Sequence, residues 1–351
     1  MINVLVVDDS AFVREFLSGI YREDKEINVV GAVPDPYKAV ELINNGVKVD
    51  VISLDLEMPK MDGLTFLEKL MSQKPIPVVV CSSIAEQGSD NAIKALELGA
   101  IEVITKPKLG LKDFFNEEKT RMQDAIKSAA KSNITNLKRG IKRNTDFRET
   151  AKQIIKEPLL ARTTNKVIAI GASTGGTITI RDILTKLPRT CTGIVITQHM
   201  PEGFTKSFSN SLNNECQIDV KECENDDKIS MGSAIVARGN RHMVVDRYGA
   251  YYRCSLTDTP HVNRHRPSVD VMFESIAKTA GKNALGILLT GMGKDGARGL
   301  AAIKEAGGET IAQNEESSVV YGMPKAAVEI GAAQHILGVE EIIQKIIEFH
   351  D

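Results

Sequence analysis

Short apolar runs, each followed by a helix-like stretch, recur along most of this chain and constrain its fold more than any other feature. From residue 1 to about 110 the runs are INVLVV, INVVGAV, VDVISLD, PVVVCSS and IEVITKP, separated by AFVREFLSGIYRE, YKAVELINNG, GLTFLEKLMSQ and NAIKALELGA. Strands alternating with helices of that length build βαβ units, and therefore a parallel sheet. Five strands and a last helix around 112–130 predict a flavodoxin-like, five-stranded parallel domain over 1–120. The rhythm resumes after Lys166 with VIAIG, GIVITQH, ALGILLT and ETIAQNE. Between these, SAIVARG, HMVVD and AYYRC lack helical spacers and read as hairpins or an antiparallel edge. Residues 165–351 are thus expected to form a second doubly wound, mostly parallel α/β domain with an antiparallel β-hairpin region.

The two rhythms are separated by a change of texture. From Lys127 to Lys166 eleven Lys/Arg face three acids, a local charge of +8. Residues 121–164 are expected to be a basic linker, either a solvated tether or a docking segment for an acidic partner. A length of 351 residues suits two such domains. The whole-chain charge of −2, the absence of Trp and 5% aromatics give no pull toward nucleic acid. No apolar run approaches the roughly 20 residues that span a bilayer, and the N-terminus reads as a strand rather than a signal peptide. Five scattered cysteines without CxxC pairs fit reduced thiols. A cytoplasmic protein with no membrane insertion, expected to be a monomer, follows.

Chemistry gathers where the first five strands end. Asp8 and Asp9 follow INVLVV, Asp55 follows VDVISL, Ser82 and Ser83 follow PVVVC, and Lys106 follows IEVIT. Open parallel sheets bind ligands outside the carboxyl ends of their strands, so these groups converge on one crevice. Clustered carboxylates repel unless a cation neutralises them, and an all-oxygen set suits Mg²⁺. Such a cation would offset the charge of an incoming phosphoryl group and leave one Asp as nucleophile, with Lys and Ser able to contact the group.

The second domain opens on KVIAIGASTGGT. A dinucleotide fingerprint needs GxGxxG, but Ser173 stands where the second glycine should be. A P-loop needs GK[ST], but Gly175-Gly176-Thr177 has no Lys before the Thr. What fits is GxSxG, Gly171-Ala172-Ser173-Thr174-Gly175, on a strand-to-helix turn that can expose a serine hydroxyl. Taken alone, Ser173 could equally cap the helix. A nucleophilic serine needs a base, and the base an orienting group. His199 follows GIVITQ and Asp295 follows ALGILLT, so three roles arrive at three strand ends. His242, His261 and His265 compete for the base role from less favourable positions. Backbone N–H groups near Thr174 and in the turn Gly291-Met292-Gly293 could form an oxyanion hole.

Residues 1–120 resemble the receiver domain of two-component response regulators, through the Asp pair after strand 1, Asp55 followed by Met58-Pro59 and Asp62-Gly63, Ser82, and Lys106-Pro107. The resemblance implies that Asp55 accepts a phosphoryl group. It further implies that Asp9, Asp55 and the carbonyl of Glu57 hold Mg²⁺ with Asp8 acting through water, that Ser82 is the switch hydroxyl and that Lys106 contacts the phosphate. Val103 stands where many receivers carry an aromatic switch residue. Residues 166–350 resemble the chemotaxis protein-glutamate methylesterases (CheB), through IGASTGG, TQHMPEGF, NRHRPSVDVMF, LLTGMGKDGARG and AQNEESSVVYGMP. That resemblance implies Ser173 as nucleophile, His199 as general base and acid, Asp295 as orienting carboxylate, Thr174 as support and the Met292 amide as oxyanion donor, with no cofactor for the esterase reaction. It implies hydrolysis of glutamate methyl esters on chemoreceptors, releasing methanol, deamidation of receptor glutamines, and phosphorylation by a chemotaxis histidine kinase that relieves inhibition by the receiver. A basic loop, Asn263–Ser268, is expected near the acidic substrate. The competing reading is a regulator whose output domain only binds. No helix-turn-helix pattern follows the receiver, which counts against DNA.

Overall fold

A computed structural model describes residues 1–59, 61–82, 86–106, 112–150 and 165–350. The chain divides into two compact units, Met1–Lys138 and Arg139–Asp351.

In the first unit, strands β1 (Ile2–Val7), β2 (Ile27–Val33), β3 (Val51–Asp55), β4 (Val78–Ser82) and β5 (Glu102–Thr105) form a parallel sheet in the order β2-β1-β3-β4-β5. Its helices are α1 (Ala11–Arg22), α2 (Pro36–Asn44), α3 (Gly63–Gln73), α4 (Glu86–Leu98) and α5 (Lys112–Ala130). Every residue of β3 and of β4 is buried, as expected for strands covered by helices on both faces. The starts of α1, α2 and α3 are set by Ser10, Asp35 and Asp62, whose side chains accept from backbone N–H groups of the first turn. Strand order reverses at β1, with β2 added on one side and β3 on the other, so the crevice between β1 and β3 is the switch point where the carboxylates were expected.

The segment read as a basic linker contains the end of α5 and a further helix, α6 (Ile134–Thr150). Within the second unit α6 is pinned by Arg143 Nε to Asp182 at 2.7 Å and by Asn144 Nδ2, which donates to the Ile178 carbonyl at 3.4 Å. Residues 151–164 lie outside the described residues, as do Ser83 and Pro107.

The second unit continues with β6 (Val167–Ala172), α7 (Gly176–Leu184), β7 (Ile194–Gln198), α8 (Phe204–Glu215), β8 (Asp219–Glu222), β9 (Asp227–Lys228), β10 (Ser233–Val236), β11 (His242–Tyr248) and β12 (Tyr251–Thr257). Then follow α9 (Val269–Thr279), β13 (Ala284–Leu288), α10 (Ala297–Glu305), β14 (Glu309–Gln313), α11 (Met323–Glu329), β15 (His335–Leu337) and α12 (Val339–Glu348). Seven strands form a parallel sheet in the order β15-β14-β13-β6-β7-β10-β8. The expected hairpin region is real in β11 and β12, which pair antiparallel and take β9 at one edge. SAIVARG departs from the expectation. Its SAIV segment is β10, which lies parallel between β7 and β8. It is an almost wholly buried apolar run, the pattern of an interior parallel strand. Here too the first strand, β6, has neighbours on both sides, so the switch point lies at its carboxyl end, where Ser173 stands.

Candidate functional site

Strand β6 ends at Ala172, and the chain turns at once into α7. Gly175 caps α7 with φ 77°, and a Cβ there would lie 2.5 Å from Val319 Cβ, so only glycine suits the turn. Ser173 is held by its backbone: its N–H donates to the Thr290 carbonyl at 3.0 Å, and its carbonyl accepts from Gly176 N at 2.8 Å and Gln198 Nε2 at 2.9 Å. Gln198 Nε2 also donates to the His199 carbonyl at 3.1 Å. This buried amide ties the serine turn to the histidine turn. Ala172 pairs with Gln198 across β6 and β7, and His199 N donates to the Ala172 carbonyl at 3.0 Å. Ser173 and His199 therefore leave adjacent strands side by side.

His199 Nε2 lies 2.7 Å from Asp295 Oδ2, with both side chains nearly excluded from water. Asp295 is gripped from four further directions. Its Oδ1 accepts from Asn263 Nδ2 at 2.6 Å, Ser268 Oγ at 2.7 Å and Asp270 N at 3.3 Å, and its Oδ2 also accepts from Val269 N at 2.7 Å. Burial alone would raise this carboxyl, but the contact with His199 and the donors from Asn263 and Ser268 outweigh it and hold Asp295 well below the usual carboxylate range. An ionised Asp295 only accepts, so Nε2 of His199 carries hydrogen. The basic lone pair then sits on Nδ1, which is buried and has no hydrogen-bond partner among the described residues.

The turn after β13 is equally determined. Gly291 packs so closely on Ser173 that a Cβ would lie 2.7 Å from Ser173 Cβ. Gly291 N donates to the Val320 carbonyl at 3.0 Å, and its own carbonyl accepts from Met323 N at 2.8 Å and Gly322 N at 3.1 Å. Thr290 Oγ1 donates to the Thr174 carbonyl at 3.0 Å, and Thr290 N donates to Gln313 Oε1 at 2.8 Å. Met292, half-buried, follows this anchored glycine.

The three other histidines of the middle region separate clearly. His242 is fully buried, its Nδ1 accepting from Ser268 N at 3.1 Å and its Nε2 donating to the Pro260 carbonyl at 3.0 Å. Burial pushes its pKa down, so it serves as a neutral fastener under Ser268. His261 is exposed. His265 stacks face to face on His199, with ring centroids 3.6 Å apart and planes 9° from parallel.

In the first unit, Asp8, Asp9 and Asp55 each place a carboxylate oxygen within 4.8 Å of the others. Lys106 Nζ lies 2.8 Å from Asp55 Oδ2 and 3.1 Å from Asp8 Oδ2. Glu57 N donates to Asp55 Oδ1 at 3.1 Å, placing Glu57 at the same rim, and the Ser82 carbonyl accepts from Lys106 N at 2.8 Å. Burial, and then the charge of Asp55, raise the Asp8 carboxyl although Lys106 opposes both. Burial would lower Lys106, but Asp55 and Asp8 more than compensate and raise it. Three carboxylates against one cation leave surplus negative charge in an all-oxygen site, which fits a hard divalent cation such as Mg²⁺. Val103 is buried in β5.

The sequence profile of the CheB methylesterase family matches residues 168–346, and that of the response regulator receiver domain matches residues 4–113. The chain is 49% identical over 354 residues to protein-glutamate methylesterase/protein-glutamine glutaminase 2 of Pseudomonas syringae pv. tomato, covering 99% of this chain and 98% of that one. It is 48% identical to protein-glutamate methylesterase/protein-glutamine glutaminase 3 of Shewanella oneidensis, covering 99% of each. The chain belongs to the CheB methylesterase family. Among solved structures, the CheB methylesterase catalytic domain of Thermotoga maritima matches with 36% identity and a TM-score of 0.51, covering 52% of this chain and 97% of that one. This methylesterase thus joins a receiver to a catalytic α/β unit. No helix among its described residues is long and apolar enough to cross a membrane.

The sequence reading named Ser173, His199 and Asp295 but missed their supports. Gln198, Thr290 and Gln313 are polar residues at the ends of otherwise apolar strands, a signal that was available. Asn263 and Ser268 lay in the loop singled out for its basic charge. In the structure, their direct contact is with Asp295.

Proposed function

We propose that this protein is a phosphorylation-activated serine esterase that removes methyl groups from glutamate side chains of chemoreceptors and deamidates receptor glutamines. The observation that carries this reading is the 2.7 Å contact between His199 and Asp295 immediately beside the Ser173 turn, in a chain of this family. The Ser173 hydroxyl attacks the ester carbonyl carbon while His199 Nδ1 takes its proton. The carbonyl oxygen gains negative charge, for which the Met292 amide and the turn at Thr174 are the available donors. The tetrahedral species collapses, the imidazolium returns its proton to the methoxy oxygen, and methanol leaves. Water, deprotonated by His199, then splits the Ser173 ester to give glutamate. With a glutamine side chain the same steps release ammonia. Asp295 keeps the Nε2–H tautomer and supports the imidazolium.

The receiver supplies the control. Asp55 accepts a phosphoryl group from a histidine kinase, with Lys106 and Ser82 as its contacts. Asp8, Asp9, Asp55 and the Glu57 carbonyl would hold Mg²⁺, which when bound offsets charge on the phosphoryl oxygens. The esterase reaction needs no cofactor. The test is methanol release from methylated receptor with and without a small phosphodonor. Release that rises with phosphodonor, and is lost in Ser173→Ala, supports the reading; release that survives Ser173→Ala overturns it.

A further inference from the structure

The turn Val262-Asn263-Arg264-His265 lies against the His199–Asp295 pair. Val262 and His265 exchange both backbone hydrogen bonds, Val262 N to the His265 carbonyl at 3.1 Å and His265 N to the Val262 carbonyl at 2.9 Å. Its two central residues, Asn263 and Arg264, have φ of 52° and 68°. That is the signature of a type I′ turn, normally filled by Asn-Gly; here an Arg occupies a position that glycine favours. The turn is held from outside as well. Arg266 donates from Nη2 to Asn240 Oδ1 at 2.8 Å, and Ser268 is fastened to His242.

Two side chains leave this turn toward the candidate active site. Asn263 Nδ2 donates to Asp295 Oδ1 at 2.6 Å and to Asp270 Oδ2 at 2.8 Å, bridging two buried carboxylates. His265 lays its ring flat on that of His199. Near-perfect face-to-face overlap is not what two free rings prefer, because their negative faces repel. The turn therefore imposes the stack. A face contact also leaves both nitrogen edges of His199 untouched, Nε2 for Asp295 and Nδ1 for the base role proposed above. His265 can thus fix the plane of the base without competing for its proton.

We infer that the turn 262–265 is a clamp on the His–Asp pair, with His265 a positioning residue that locks the imidazole plane of His199 while Asn263 locks Asp295. This rests on the esterase reading for its kinetic consequence, but not for its geometric one. A ring free to rotate about its Cβ–Cγ bond would lose the alignment of Nδ1, and misalignment lowers the rate of the chemical step more than it weakens binding.

The test uses full-length protein with saturating phosphodonor and methylated receptor. His265→Phe keeps a flat ring and removes both nitrogens; His265→Leu keeps bulk and removes the plane. We expect His265→Leu to lower kcat by about ten-fold or more with KM nearly unchanged, and His265→Phe to return kcat to within about three-fold of the native chain. A Phe variant as impaired as the Leu variant would overturn the proposal, since His265 would then act through its nitrogens. A Leu variant with native kcat would overturn it too. Independently of activity, ¹⁵N spectra of histidine-labelled protein should show His199 as one fixed Nε2–H tautomer in native and Phe chains and averaged in the Leu chain. An unchanged Leu spectrum refutes the clamp. If the native chain releases no methanol, the functional reading fails, while the spectra still decide the clamp.

Discussion

Replacing Asp295 by Asn keeps the shape of the side chain and removes its charge. One carboxylate oxygen becomes an NH₂. Oδ1 receives three hydrogen bonds and Oδ2 receives two, so the amide nitrogen is best tolerated at Oδ2. There it faces the Val269 N–H, whose bond is lost, and His199 Nε2, which must give up its hydrogen to accept from the new NH₂. The histidine proton moves to Nδ1, the atom proposed to act as base. The expected cost is about 10⁴-fold in kcat, the loss seen when an orienting aspartate is changed to asparagine in a serine-protease triad. That is about 5.5 kcal/mol of transition-state stabilisation. Folding loses a hydrogen bond to a buried charge and leaves an N–H unpaired, together about 2–3 kcal/mol. For a unit of this size that lowers Tm by about 4–12 °C. Methanol release under single-turnover conditions and calorimetry read the two effects. A variant with kcat within about ten-fold of native and an unchanged Tm would refute the reasoning, because Asp295 would then neither set the tautomer nor anchor the loop.

Other expectations follow from the same geometry. Asp295 has a folded-state pKa held below its unfolded value, so its stabilisation is present above the ordinary carboxylate range and is lost as pH falls. The Tm gap between native and Asp295→Asn chains should therefore be full at pH 7 and shrink below about pH 4; a constant gap contradicts the assignment. Asp8 shows the opposite sign: its raised pKa means that stability is lost as pH rises through its titration range. Asp8→Asn should raise the Tm of the receiver at pH 7 without Mg²⁺, and a lowered Tm would count against the crowded-carboxylate account. Chelating Mg²⁺ with EDTA should abolish phosphorylation of Asp55, followed by mass spectrometry, and leave basal methanol release unchanged. Gln198→Leu should lower kcat by about ten-fold or more, because one amide joins the Ser173 and His199 turns; native turnover would show that the strands alone suffice.

Parallel strands deliver side chains to one edge in a way that can be read from sequence, and that is why the sequence alone assigns Ser173, His199 and Asp295 to one sheet edge. The same logic placed Asp8, Asp55 and Lys106 around one crevice. What escaped were contacts without a period. Asn263 reaches Asp295 and His265 reaches His199 from an irregular loop, and loop geometry depends on two left-handed residues that the sequence does not announce. Counting charge hid helix α6, whose buried Asn136, Leu137, Gly140 and Asn144 fall on one face at helical spacing. β10 was misplaced for a related reason: short apolar runs near hairpins do not reveal which sheet they join.

The central claim is that Ser173 forms the covalent bond to substrate. Rapid quenching of the full chain during turnover of a methylated receptor peptide, followed by peptide mapping, tests it directly. The account predicts a peptide ester, lighter than the sum of its parts by one methanol, on the fragment containing Ser173 and absent from Ser173→Ala. Turnover with the adduct on another residue, or with no adduct under conditions that slow deacylation, would contradict it.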